Sequence, residues 1–248
     1  MEDILLSLNL DRICKKGLFS KNRKTLRLTE NIIKNTLKTP IEDNTLIHSE
    51  PEIGIISGLY ATSSGNGGII PIQIFNNASS STDEFELKLT GKQGDVMKES
   101  VNCSYTAATQ YIMKNSDKYN IYDINEYLNK NFKYGFHIHA PSTSTPKDGP
   151  SAGCAFTSAF ISRILGKKIR NDIAMTGEVE LTGKITKIGG LNFKLIGAKR
   201  AGVKQVYVPL ENKKDLDDFK KKYTKLIDNN FNVDTFEYIG EIIDKILI

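Results

Sequence analysis

Pro146-Lys147-Asp148-Gly149-Pro150-Ser151-Ala152-Gly153 and, further on, Gly189-Gly190-Leu191-Asn192-Phe193-Lys194 are the runs whose reading decides the fold. The first is rich in turn-forming residues: prolines with pre-set φ, a glycine free to take positive φ, then a serine. From Ala152 the texture changes to small and apolar residues at helical spacing, through Phe156, Phe160 and Ile164. Ser151 therefore sits where a loop becomes a helix, among unpaired N–H groups at the positive end of a helix dipole. A developing oxyanion is stabilised at such a place. Serine ahead of an apolar run is also the usual helix N-cap, and taken alone the position admits that reading.

The second run ends a strand-like stretch at Ile188 and opens a helix in which Lys194 stands in the first turn, between Leu191 and Leu195. Poor solvation and a nearby dipole both disfavour an ammonium there, bringing a pKa of ~10.4 towards neutrality if the site is buried. A neutral lysine amine can serve as general base for a serine hydroxyl. A solvated surface lysine is the plain alternative.

Pro146 to Gly153, Met175-Thr176-Gly177-Glu178, Gly189-Gly190-Leu191, Lys194 and Pro209 to Leu216 together resemble the proteolytic domain of Lon proteases. Gly58-Leu-Tyr-Ala61 and Gly91 to Ser100 resemble the start of the same domain, with Tyr60 where tryptophan is expected. The resemblance implies a Ser/Lys dyad, its serine at Ser151 and its lysine at Lys194, 43 positions on. It implies that Thr176 bonds the lysine amine; as a bare residue, Thr176 is equally a β-branched strand position. Asp148 and Lys147 are expected to shape the loop, with Asp148 able to occlude the site in an inactive state. Gly149, Pro150 and Gly153 are the supporting residues around the serine. Two departures lie close by: Ser142 to Thr145 fills a place expected to hold an acidic residue and glycine, and Asn192-Phe193 replaces polar charged types. Phe193 is expected to make the surroundings of the lysine drier.

Other chemistries are less well supplied. His137 and His139 share one face of a strand, which suggests a metal pair or a Ser/His system; the metal reading lacks further ligands. Cys14, Cys103 and Cys154 are odd in number and far apart, so neither a disulfide framework nor a zinc ribbon is expected, and free thiols in a reducing compartment fit better. Cys154 reads as a packing residue. Gly177 to Lys184 has five residues between its glycines where a phosphate loop needs four, and Ile185 stands where Ser or Thr belongs.

The chain has 248 residues, enough for one large domain or two small ones. Its net charge of +5 is concentrated in residues 1–40, with nine Lys/Arg against four Asp/Glu. A solvated helix face explains that excess better than a nucleic-acid site, which would want interleaved aromatics or a reading motif. No apolar run approaches a membrane span and the acidic start is not a secretory signal. Residues 1–40 read as two helices, resembling the end of the small helical subdomain of a Lon ATPase module. Residues 41–52 read as a polar linker and 53–248 as the proteolytic domain.

Strands are expected at 53–62, 68–75, 85–89, 136–140, 205–209 and 232–238, with a hairpin over 174–188 turning near Thr182-Gly183. Helices are expected at 95–115, with Val96, Met97, Val101, Ala107 and Ile112 inward, and at 123–131, 152–165, 191–202, 212–223 and 240–248. The mixture without a βαβ rhythm argues for α+β with mixed sheets.

The reading that follows is a serine endopeptidase acting on unfolded or damaged proteins and peptides, bound as an extended strand. The resemblance further implies a homo-hexamer in the cytoplasm, with ATP and Mg²⁺ acting only through an ATPase module absent from this chain and no cofactor within it. Alternatives are a catalytically impaired assembly module, and a nucleic-acid binder through residues 1–40.

Overall fold

The computed structural model describes residues 45–248 apart from 64, 81, 82, 142–146, 225 and 229. The two helices expected in residues 1–40, the first part of the linker, and the departure at Ser142 to Thr145 lie outside the described residues.

A seven-stranded mixed sheet forms the middle layer, in the order β11-β10-β7-β2-β3-β5-β4. Its strands are β2 (Ile55–Ala61), β3 (Gly67–Asn76), β4 (Glu86–Thr90), β5 (Gly135–His139), β7 (Ile173–Met175), β10 (Gln205–Pro209) and β11 (Asn232–Phe236). β2, β7, β10 and β11 run parallel to one another, β3 is antiparallel to β2 and β5, and β4 is parallel to β5. The short β1 (Glu52–Ile53) pairs with β6 (Lys168–Ile169) outside this sheet.

The apolar runs along the central strands β2, β3, β7 and β10 are buried on both faces. Met175 and Tyr207 join the larger core, together with Ile72 and Ile74 and with α1 (Asp95–Lys114), α3 (Ile124–Asn131), α4 (Gly153–Leu165) and α7 (Gly240–Ile246). Their neighbours Ala174, Val206 and Val208 turn to the other face, against α5 (Leu191–Arg200) and α6 (Lys213–Lys222). α4 is buried on nearly every side, which is why its sequence is apolar and small all round. Hence α4 and α5 approach the sheet from opposite faces, an arrangement that decides how the site is made.

The α+β expectation holds, and most elements fall within a residue or two of their expected bounds. Four details differ. Val96 is exposed, because the inward stripe of α1 runs through Met97, Val101, Ser104, Ala108 and Ile112, and Val96 is rotated off it. A short helix, α2 (Ser116–Tyr119), follows α1 where none was expected. The expected 174–188 hairpin is divided: β7 belongs to the large sheet, and only β8 (Glu178–Val179) and β9 (Ile185–Thr186) pair as a hairpin, turning at Gly183 with φ +85°. In the linker region Ile47 packs against the smaller core, its N–H bonded to the Ala201 carbonyl at 3.1 Å. Among the described residues, no helix is long and apolar enough to cross a membrane.

Phe136 is fully buried at the centre of an aromatic group, its ring 4.9–6.0 Å from those of Phe85, Phe132 and Phe160. Phe136→Ala is expected to cost about 3–5 kcal/mol of stability in urea unfolding. A loss below about 1 kcal/mol would mean that this part of the core repacks freely.

Candidate active site

Ser151 arrives on the loop that follows β5. It precedes Ala152, the N-cap residue of α4, and makes no capping bond, so the N-cap alternative does not hold. Its backbone is tied to the end of β7 instead. The Ser151 carbonyl accepts from Gly177 N–H at 2.8 Å and from the Thr176 hydroxyl at 3.0 Å, and Cys154 N–H donates to the Gly177 carbonyl at 3.0 Å. A Cβ on Gly153 would stand 2.9 Å from Val179 N, so the helix start packs directly on β8.

The loop before the serine is anchored to α1. Asp148 Oδ1 accepts from Met97 N–H at 3.0 Å and from Gly149 N–H at 2.9 Å, which makes it a cap for the first turn of α1 supplied from a distant part of the chain. Gly94 leaves room for it: a Cβ there would meet the carboxyl carbon at 2.5 Å. Lys147 pairs main chain to main chain, its N–H on the Lys92 carbonyl and its carbonyl receiving Gly94 N–H, while burial pulls its ammonium pKa below the ordinary value. Gly149 takes φ +118°, a conformation that glycine reaches without strain. The Pro150 carbonyl accepts from Gly153 N–H and the Ser100 hydroxyl.

Lys194 comes from the other face of the sheet, on the fourth residue of α5. Its Nζ lies 2.9 Å from Ser151 Oγ and 2.9 Å from Thr176 Oγ1. Thr176 is wholly buried and Lys194 is 3% exposed. Burial pushes the ammonium pKa down from 10.5 to about 8. Among the described residues no carboxylate is paired with it. Phe193, expected to dry this site, is instead 41% exposed and its ring lies beside Gly65.

The proton inventory is determinate. Thr176 gives its single hydroxyl proton to the Ser151 carbonyl, so towards Lys194 it can only accept. One lysine N–H is thus committed to Thr176, and in the neutral amine the lone pair is left free to face Ser151 Oγ. Around the serine, the N–H groups of Ser151 and Ala152 have no acceptor among the described residues.

The histidines are elsewhere occupied. His137 Nε2 and His139 Nδ1 lie 2.9 and 2.7 Å from the Thr90 hydroxyl, which stands between them on β4. Thr90 was not foreseen from the sequence; its parallel register opposite His139 is what brings it there. Among the described residues, no three His, Cys, Asp or Glu side chains gather as metal ligands. Cys154 is fully buried, and burial pushes its thiol up to about 12, so it is inert at neutral pH. The Gly177 to Lys184 run forms β8 and its turn rather than a loop leading into a helix, and it does not fit a phosphate.

Fold and site together define a serine-type endopeptidase domain. The chain belongs to the Lon protease (S16) C-terminal proteolytic domain family, whose model matches residues 27–248. It is 48% identical over 219 residues to a Lon protease homolog of Acanthamoeba polyphaga mimivirus, covering 87% of this chain and 20% of that protein. It is 40% identical over 200 residues to the Lon protease of Lachnoclostridium phytofermentans, covering 81% and 23%. A mitochondrial Lon protease homolog of Phaeodactylum tricornutum is 34% identical over 230 residues, covering 90% and 25%. The chain therefore spans about a fifth to a quarter of the length of these curated relatives.

Burying the lysine has a consequence for stability. Between pH 8 and 10.5 the unfolded chain holds a proton at Lys194 that the folded chain has released, so stability rises with pH through that window. Below it the penalty is complete, roughly 3 kcal/mol. Lys194→Met is expected to be more stable than wild type at pH 7 in urea unfolding, the gap closing as pH rises to 10.5. A variant less stable at pH 7 would contradict the burial penalty.

Proposed function

We propose that Ser151 and Lys194 form a catalytic dyad that hydrolyses peptide bonds. The observation that carries the reading is the buried Lys194 amine, 2.9 Å from both Ser151 Oγ and Thr176 Oγ1. Neutral Lys194 takes the hydroxyl proton as Ser151 Oγ attacks the scissile carbonyl, then returns it to the leaving amine as the acyl-enzyme forms. A water attacks the ester in the second half, with the same amine as base. The Ser151 and Ala152 N–H groups, at the positive end of α4, are placed to receive the oxyanion. Thr176 fixes the amine's orientation through its acceptor lone pair. Asp148 holds the serine loop through its carboxylate on the first turn of α1, Lys147, Gly149, Pro150 and Gly153 hold it through main-chain geometry, and none of them touches a reacting atom.

The chemistry requires no cofactor within this chain. ATP and Mg²⁺ would act through an ATPase module elsewhere in the whole protein, delivering unfolded or damaged polypeptide to the site. The family resemblance supports a homo-hexameric ring around a chamber. Free Cys103 and Cys154 support a reducing compartment, and we place the protein in the cytoplasm. Peptides and unfolded proteins are the substrates of this domain alone; folded ones require the unfolding module.

The test is cleavage of casein without nucleotide by the full chain, Ser151→Ala, Lys194→Ala and His137→Ala/His139→Ala. Wild type and the histidine variant are expected to cleave, and the two dyad variants to lose at least a thousandfold, on the order expected for removing a nucleophile or its base. Activity in Ser151→Ala, or its loss in the histidine variant, would overturn the dyad. In wild type, kcat/KM is expected to rise with pH along a limb centred at about 8 as Lys194 loses its proton. ATP is expected to leave the rate unchanged; acceleration would reveal a nucleotide site in this chain.

A further inference from the structure

Lys194 reaches Ser151 from a helix on the opposite face of the sheet, and glycines decide how closely that helix lies. A Cβ on Gly67, at the start of β3, would stand 2.1 Å from the Phe193 carbonyl oxygen and 2.9 Å from Lys194 N. A Cβ on Gly197, one turn along α5, would stand 2.3 Å from the Gly67 carbonyl carbon and oxygen and 2.4 Å from Gly68 N. Every one of these atoms is main chain, so no side-chain rotation makes room. The two backbones are in direct contact on both sides of the residue that carries the amine. Arg200, at the last residue of α5, donates from Nη2 to the same Gly67 carbonyl at 2.8 Å.

We propose that the Gly67–Gly197 contact is a positioning device for the base: it sets the depth at which Lys194 enters the site, and Arg200 fastens it. The inference rests on Lys194 acting as the base, as argued above. An ordinary carbon contact needs about 3.4 Å, so a methyl group at either glycine forces helix and strand about 1 Å apart. The lysine Nζ withdraws with its helix, because the main chain at Phe193 and Lys194 is what rests on Gly67. A displacement of that size costs on the order of a hundredfold in rate when it separates reacting groups. It also opens the amine to water, which favours the ammonium.

The experiment compares kcat and KM against pH for wild type, Gly67→Ala, Gly197→Ala and Arg163→Ala on a fluorogenic peptide. Arg163 is the control: it fastens the opposite end of β3 through the Ile74 and Ile53 carbonyls, both at 2.6 Å, and lies outside the catalytic machinery. The glycine variants are expected to lose tenfold to a hundredfold in kcat at pH 7 with KM within twofold. Their limb is expected to move to higher pH by at least half a unit, since Lys194 is rehydrated. Arg163→Ala is expected to lower the melting temperature without moving the limb. If neither glycine variant folds, Arg200→Met is read the same way, with a smaller shift in the same direction. A limb unmoved in the folded glycine variants, or in Arg200→Met where it stands in for them, overturns the inference. So does a shift of the same size in Arg163→Ala, which would make it a general consequence of instability. A wild-type profile with no limb near 8 would instead remove the proposed base, so the two failures are distinguishable.

Discussion

The burial of one lysine amine is the constraint on which the rest of this structure depends. An ammonium at 3% exposure with no carboxylate partner among the described residues is costly, and the fold keeps it there while giving it two hydroxyl oxygens at 2.9 Å. Desolvation is the leading cause of its lowered pKa, opposed by a smaller electrostatic contribution from Cys154, and among the described residues no carboxylate pairs the charge. A carboxylate beside Lys194 would restore the charge and remove the proposed base. Hydroxyl groups do neither: Thr176 accepts from the amine in either protonation state, Ser151 accepts from the ammonium and donates to the neutral amine, and the affinity for the proton is left governed by burial.

The sheet makes that burial possible by bringing both helical layers to one strand end. Ser151 heads α4 on one face, Lys194 stands on α5 on the other, and Thr176 follows directly from β7 between them. The Ser151 carbonyl is bonded to both Thr176 and Gly177, so the serine and the residue that orients the lysine form one hydrogen-bonded unit. The loop ahead of the serine gains its rigidity elsewhere, from Asp148 on the first turn of α1. Site geometry thus draws on α1, α4, α5 and the strands beneath them, while the two groups of the proposed dyad come from the loop ahead of α4 and from the first turn of α5.

Much of this was legible in the sequence because it depends on local chemistry. The apolar texture after Ser151 gives α4, the strand-like runs at 53–62 and 68–75 give β2 and β3, and the serine and lysine stand in runs with recognisable turn and helix-start chemistry. Other features depend on contacts between distant segments. Asp148 reads locally as a turn residue, and only the fold brings it to Met97, 51 positions away. Gly67 and Gly197 are unremarkable as letters; their meaning is an approach of two backbones 130 positions apart. The 174–188 stretch looked like one hairpin because β7 is short and apolar like β9, and strand partners are a tertiary choice. Val96 and Phe193 show the complementary error: apolar residues read as inward or drying that the helix geometry turns outward.

The central claim, that burial brings Lys194 down to about 8 so that a neutral base is reached just above physiological pH, is tested most directly by titrating its Nζ in the full chain. Carbon–nitrogen correlation NMR on lysine-labelled protein follows the amine, with its resonance assigned by its absence in Lys194→Met. The account predicts a midpoint at about 8 for this lysine. A midpoint at the ordinary lysine value of 10.5 would contradict it, leaving Ser151 beside a permanent ammonium that cannot take its proton.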